Sequence, residues 1–254
     1  MWPLSGSEIE VRSGGSGPRI VLLHGAYGWW GWEPVHQRLA ERFTVVAPSH
    51  PGFGSSPRLP DVDTVDDLAY LYLDLIAARG ILPARLVGFG FGGWLAAEIA
   101  VRCPHAVERL ILVDSVGIKT SGREGRDIED PFVLVGDEQQ RLFWADPSRQ
   151  SVPLPHPDMN EDLLEAMLSN QEAAMLYGWK PFFHNPKLKQ RLHRITAPSL
   201  VVWGEEDRIV SPAYGKAFAD SIPGARFVTI PGVGHYPHRE GVEPFVQSVV
   251  DFLG

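Results

Sequence analysis

Between residues 84 and 102 the chain reads Ala-Arg-Leu-Val-Gly-Phe-Gly-Phe-Gly-Gly-Trp-Leu-Ala-Ala-Glu-Ile-Ala-Val-Arg. No other stretch restricts the fold as much. A short apolar strand through Leu86 and Val87 runs into a turn that carries Gly88, Gly90, Gly92 and Gly93. Good helix formers follow, from Trp94 to about Arg102. A strand passes this abruptly into a helix only through backbone conformations and close approaches that glycine tolerates. The stretch therefore predicts a strand, a sharp turn and a helix, the repeating unit of layered α/β folds.

The rest of the chain keeps that alternation. Residues 8–12 alternate charged and apolar, as an exposed edge strand would, and 13–18 form a glycine-rich turn. Residues 19–23, 43–47 and 109–113 are continuous apolar runs, the mark of strands covered on both faces. Helices are expected over 32–41 and over 64–79, where Thr64 and Asp67 resemble a capping box and Gly80 stands at the stop. Regular order returns with strands at 200–203 and 227–230 and helices at 212–221 and 242–253, separated by loops at 204–211 and 231–241. Pro212 opens the first of these helices. Between 117 and 194 no buried strand is evident. That region holds a polar loop at 119–130, a proline-rich stretch at 146–157 and helical pieces rich in Leu, Met, Phe and Trp. The expected fold is α/β, a mostly parallel sheet with helices on both faces. Its core comprises 1–116 and 196–254, and 117–195 is a helical cap over the sheet's C-terminal edge, where open α/β sheets bind ligands.

Two motifs share the glycine turn. Gly88, Gly90 and Gly93 spell G-x-G-x-x-G, and Asp114 ends the next strand, which together match a dinucleotide fingerprint. Three strands precede this turn, however, whereas the fingerprint usually sits on the first. That reading also leaves His24, Asp207 and His235 without a role. Gly88 and Gly92 also frame a G-x-S-x-G nucleophile elbow, with Gly90 in the serine's place. The candidate chemical residues each follow a strand: His24-Gly25, Gly90, Asp207 and His235, in the chain order elbow, acid, histidine.

On these segments the sequence resembles the α/β-hydrolase superfamily along nearly its whole length. The matching pieces are Leu23-His24-Gly25, Pro51-Gly52-Phe53-Gly54-Ser55, Gly88 to Gly93, Trp203-Gly204-Glu205-Glu206-Asp207-Arg208-Ile209-Val210 and Gly232-Val233-Gly234-His235. They look most like the bacterial esterase and carbon–carbon-bond hydrolase branch. The resemblance implies hydrolysis of an ester or a related acyl or carbon–carbon bond in a small, largely apolar substrate, without a cofactor. It assigns His235 as general base and Asp207 as the acid that orients it. It assigns the backbone N–H groups of Ala26 and Phe91 as the oxyanion hole. Gly90 departs from the family, since glycine offers no nucleophile for an acyl-enzyme. Three readings follow. A serine enzyme has been inactivated by glycine, which is favoured because a single serine would complete Gly-Phe-Ser-Phe-Gly. Alternatively, a native glycine leaves His235 and Asp207 to activate water or to move a proton in a lyase or decarboxylase step. In the third, the protein is a ligand-binding relative without catalysis.

Other residues have plainer expectations. His24 and His50 read as loop braces and His238 as structural. Asp114 reads as a loop cap or an alternative acid. Asp207, His235 and His238 lack a recognised metal-ligand spacing, so no metal is expected. Trp30, Trp144 and Trp179, with Phe91, are expected to line an apolar pocket, among other aromatics of the cap such as Phe132, Phe143, Phe182 and Phe183. His184 is a weaker candidate for the pocket. A formal charge of -8 disfavours nucleic acid, and the basic residues at 187–194 read as a solvated helix face. A single Cys103 excludes an internal disulfide framework and reads as buried filler in a helix. Without a signal-like N-terminus or a run of about 18 apolar residues, the expected location is the cytoplasm, with no membrane contact.

Overall fold

The computed structural model describes residues 1–4, 7–122, 124–151 and 160–254. Its strands are β1 (Trp2–Leu4), β2 (Ser7–Ile9), β3 (Val11–Gly14), β4 (Arg19–Leu23), β5 (Thr44–Pro48), β6 (Ala84–Phe89), β7 (Val107–Val113), β8 (Ser199–Gly204) and β9 (Arg226–Ile230). The helices are α1 (Pro34–Leu39), α2 (Val65–Ala78), α3 (Phe91–Arg102), α4 (Gly136–Phe143), α5 (Glu161–Gly178), α6 (Leu188–Arg191), α7 (Pro212–Asp220), α8 (Pro237–Glu240) and α9 (Val242–Leu253). Seven strands form one sheet in the order β3-β5-β4-β6-β7-β8-β9, with β3 antiparallel at one edge and every other pairing parallel. The glycine turn therefore leaves the middle strand.

Alternation along the buried strands separates two cores. Ile20, Leu22, Val87, Phe89, Ile111, Val113, Leu200 and Val202 face one way, onto α1 and α9. Val21, Leu23, Leu86, Leu110, Leu112, Val201 and Trp203 face the other, onto α2, α3 and α7. Because successive strand residues point to opposite faces, a continuous apolar run serves both layers at once.

Several boundaries differ from expectation, each for a local reason. The edge strand splits: β2 pairs with β1, while β3 runs on through Ser13 and Gly14 to pair with β5. Helix α3 begins at Phe91, so Gly92 and Gly93 lie in its first turn. Helix α1 is shorter than 32–41, because Glu33 caps it and its side chain accepts the Trp30 N–H. The loop before α9 contains the short helix α8. The Thr64–Asp67 capping box forms as expected. Cys103 is half-buried at the end of α3, with Sγ 3.3 Å from His105 Nε2, rather than packed inside the helix. In the basic stretch Leu188 and Leu192 are buried, so only part of that surface is solvated.

Between β7 and β8 the described residues form helices α4, α5 and α6 with short 3-10 turns. Of the proline-rich stretch, 152–157 lies outside the described residues. No described helix is long and apolar enough to cross a membrane.

Candidate active site

The parallel strands deliver His24, Gly90, Asp114, Asp207 and His235 to one edge of the sheet, after β4, β6, β7, β8 and β9 respectively. At the centre Gly90 adopts φ 50° and ψ -109°, a left-handed turn conformation. Its N–H donates to the Val113 carbonyl at 2.9 Å, and its own carbonyl accepts the N–H groups of Gly93, Trp94 and Val116. The turn is thus fixed by backbone bonds alone.

The glycines around it differ in what they exclude. A Cβ at Gly88 would lie 2.3 Å from the Gly92 carbonyl oxygen, one at Gly92 2.0 Å from the Leu23 carbonyl oxygen, and one at Gly93 1.8 Å from Ser115 Oγ. Gly88 and Gly92 are required by the close approach of β6, α3 and β4, and Gly93 by the Ser115 side chain just after β7. At Gly90 an added Cβ meets nothing nearer than His235 Nε2 at 3.6 Å. Packing therefore explains Gly88 and Gly93 without a pyrophosphate. Asp114, the acid of the dinucleotide reading, is buried and accepts the Gly204 N–H at 2.9 Å.

His235 Nδ1 lies 2.8 Å from Asp207 Oδ2. Asp207 Oδ1 accepts the N–H groups of Ile209 at 2.8 Å and Val210 at 3.1 Å, which explains why the acid sits two residues before this apolar pair. The His235 backbone N–H donates to the Phe143 carbonyl at 2.8 Å, and the Gly234 N–H donates to Glu240 at 2.7 Å. Glu240 also accepts the N–H groups of Ala145 and Asp146, so the histidine loop is fastened to the end of α4.

The loop after β4 is held from below. His24 Nδ1 donates to the Gly25 carbonyl at 2.8 Å, and His24 Nε2 accepts the His50 N–H at 2.9 Å. His50 Nε2 in turn donates to the His24 carbonyl, and its Nδ1 accepts the Tyr72 hydroxyl at 2.6 Å. Burial keeps both rings neutral: the His24 pKa lies well below the ordinary histidine value, and that of His50 is pushed down to about 3. Arg239 forms a buried bidentate pair with Glu33 and donates to the Gly28 carbonyl, tying the loop to α8. Sequence reasoning missed Glu33, Arg239 and Glu240. The Arg239–Glu33 pair spans 206 residues, so no local spacing signals it.

A cavity of about 50 Å³ opens over Gly90. Ala26 and Phe91 line it together with Gly25, Gly90 and His235. As the first residue of α3, Phe91 has no intrahelical acceptor for its N–H. Tyr27, Phe132, Phe143, Phe182, Phe183 and Ile209 supply apolar wall. Trp30, Trp144 and Trp179 do not line it. Trp144 is fully buried against Tyr236, Trp179 is 60% exposed beyond the end of α5, and Trp30 packs half-buried against the core. Aromatic content marks a segment as apolar but does not say which face each ring takes. His184 bridges by its backbone to Gly117 and is also outside the lining. His238 is buried and neutral beside Phe89.

The sheet order and the strand-end positions place the chain among known proteins. The family model described as "Alpha/beta hydrolase family" matches residues 20–248. The chain belongs to the α/β-hydrolase family. Among α/β-hydrolase relatives, it is 28% identical over 272 residues to the 2-hydroxy-6-oxononadienedioate/2-hydroxy-6-oxononatrienedioate hydrolase of Paraburkholderia phymatum, covering 98% of this chain and 92% of that one. It is 30% identical over 265 residues to the pimeloyl-[acyl-carrier protein] methyl ester esterase of Chromobacterium violaceum, covering 96% and 98%. It is also 31% identical over 260 residues to polyketide synthase ThaQ of Burkholderia thailandensis, covering 97% of this chain but 12% of that much longer protein. A thermophilic esterase from Thermogutta terrifontis superposes with a TM-score of 0.78 at 25% identity, covering 97% of this chain and 93% of the esterase. As an α/β-hydrolase related to esterases and carbon–carbon hydrolases, the protein falls in the hydrolase class.

Proposed function

We propose that this α/β-hydrolase carries a serine-type site for an ester or related acyl or carbon–carbon bond of a small, largely apolar substrate, lacking only the serine hydroxymethyl group at Gly90. In this reading His235 is the general base, and Asp207 holds its tautomer and stabilises the imidazolium. The N–H groups of Ala26 and Phe91 receive the developing oxyanion, and residues 117–195 act as the cap. What carries the reading is the room at Gly90. Among the glycines of the turn it is the one with space for a side chain, and that side chain would start 3.6 Å from His235 Nε2. The bond class is supported by the relatives, an esterase and a carbon–carbon hydrolase. A cavity of about 50 Å³ suits a small substrate group better than the roughly 300–1,000 Å³ of drug-sized sites.

A second reading is favoured by the His235–Asp207 bond, which forms with no side chain at position 90. A glycine that belongs there leaves His235 Nε2 facing open space, where it would activate water or move a proton in a lyase or decarboxylase step.

The test pairs the native chain with Gly90→Ser on short-chain aryl esters and on a fluorophosphonate serine probe. The first reading expects labelling and turnover by the serine variant alone. A folded serine variant that neither labels nor turns over would overturn it. Turnover by the native chain that is lost in His235→Ala would favour the second reading. Ligand binding without turnover by either chain would identify a binding relative.

A further inference from the structure

Asp114 has no role in the chemistry above, yet it is fully buried at the centre of the site and holds φ 42°, a conformation uncommon outside glycine. One of its carboxylate oxygens, one oxygen of Asp207 and a ring nitrogen of His235 all lie within 4.8 Å of one another. Two carboxylates this close, both out of water, strongly oppose each other's ionisation at neutral pH. The surroundings decide which one keeps the charge. Asp207 receives two backbone N–H groups and faces His235. Asp114 receives one N–H, from Gly204, on Oδ1, and its Oδ2 is buried with no hydrogen-bond partner. As a carboxylate, Oδ2 would be a bare charge beside Asp207. As an acid, the same oxygen is an O–H with Asp207 as the neighbouring acceptor.

We propose that Asp114 is a positioning residue that holds the single proton of a buried Asp114–Asp207 carboxyl pair at neutral pH, so that His235 faces one negative charge rather than two. Burial first, and the Asp207 charge second, push the Asp114 carboxyl well above the usual carboxylate range, in agreement with this arrangement. The Gly204 amide is the one group that opposes them. The role is independent of what stands at position 90, because it concerns the acid side of the His235–Asp207 pair. Failure of the serine-restoration experiment would leave it standing.

The test needs no turnover. The full chain is prepared with carboxyl-labelled aspartate, and isotope-edited infrared spectra are taken at pH 7 for the native protein and for Asp114→Asn. The expected result is a protonated-carboxyl C=O band in the native spectrum that is absent from the variant. His235 ring resonances are titrated in both proteins. Asparagine imitates the neutral acid, so the His235 midpoint should move by less than about half a pH unit. Removing an ionised Asp114 within 4.8 Å would instead lower it by at least about 2.5 pH units at an effective dielectric constant near 20. A native spectrum without the acid band, a band that persists in Asp114→Asn, or the larger fall in the His235 midpoint would overturn the proposal. If Asp114→Asn does not fold, a native spectrum without the band still overturns the proposal, and Asp114→Ser takes its place for assigning a band that is present.

Discussion

Lowering the pH from 7 to 5 should weaken this fold by several kcal/mol, because four of the buried histidines among its described residues, His24, His36, His50 and His238, have no room for a second proton. His24 Nε2, His36 Nδ1 and His50 Nδ1 already accept hydrogen bonds, from the His50 N–H, the Glu33 N–H and the Tyr72 hydroxyl. His238 is enclosed by Phe89, Trp29 and Phe245. Burial lowers all four pKa values, to about 4 for His36 and about 3 for His50. In the unfolded chain each would take its proton near pH 6.5. Below that pH the unfolded state binds more protons than the folded one, so stability falls as pH falls, down to the folded pKa of each group. At pH 5 the gap is about 1.5 units, or about 2 kcal/mol each for His36 and His50 and about 4 kcal/mol together. His24 and His238 act in the same direction. Asp114 acts in the opposite direction, since its raised pKa lets the folded state keep a proton that the unfolded chain releases. It is one group against four. Asp127, held down to about 2 by its bonds from Thr120 and Ser121, loses its contribution only below the ordinary aspartate range and lies outside this window. Typical domain stabilities are about 5–15 kcal/mol, so the change should be plain in urea unfolding curves followed by circular dichroism at pH 7, 6 and 5. A stability constant to within about 1 kcal/mol over that range would refute the assignment of these histidines as neutral braces.

The glycine turn makes a graded prediction. Gly92→Ala should cost more than about 4 kcal/mol or prevent folding, because its Cβ would lie 2.0 Å from a carbonyl oxygen. Gly90→Ala should cost about 1–3 kcal/mol, the strain of a positive φ without a clash, with urea midpoints of the two variants as the check. Arg239→Met leaves Glu33 charged and buried, and should cost about 3–5 kcal/mol, with partial recovery when Glu33→Gln is added. An additive double variant would mean that the pair is not coupled.

Much of the layered fold is legible from local pattern. The apolar runs at 19–23, 43–47 and 109–113 are strands because each must satisfy two packed faces at once, and the Thr64–Asp67 box starts a helix because its bonds are made within four residues. Strand-end positions of His24, Gly90, Asp207 and His235 follow from the same alternation, since parallel strands deliver their ends to one edge. The aromatics behaved otherwise. Trp144 and Trp179 are apolar side chains in an apolar segment, and nothing near them in sequence says that one is enclosed by Tyr236 and the other faces solvent.

The sequence by itself determined the parallel α/β architecture, the glycine turn at its centre and the order elbow, acid, histidine, because periodicity and short-range bonds are properties of neighbouring residues. Only the tertiary structure decided which glycines are hemmed in by neighbouring atoms and which one has room, that Asp114 lies against Asp207, and that Arg239 clasps Glu33. Those facts depend on distances between segments that the chain brings together from far apart, and the burial that gives them their energetic weight exists only once the strands and helices have closed around them.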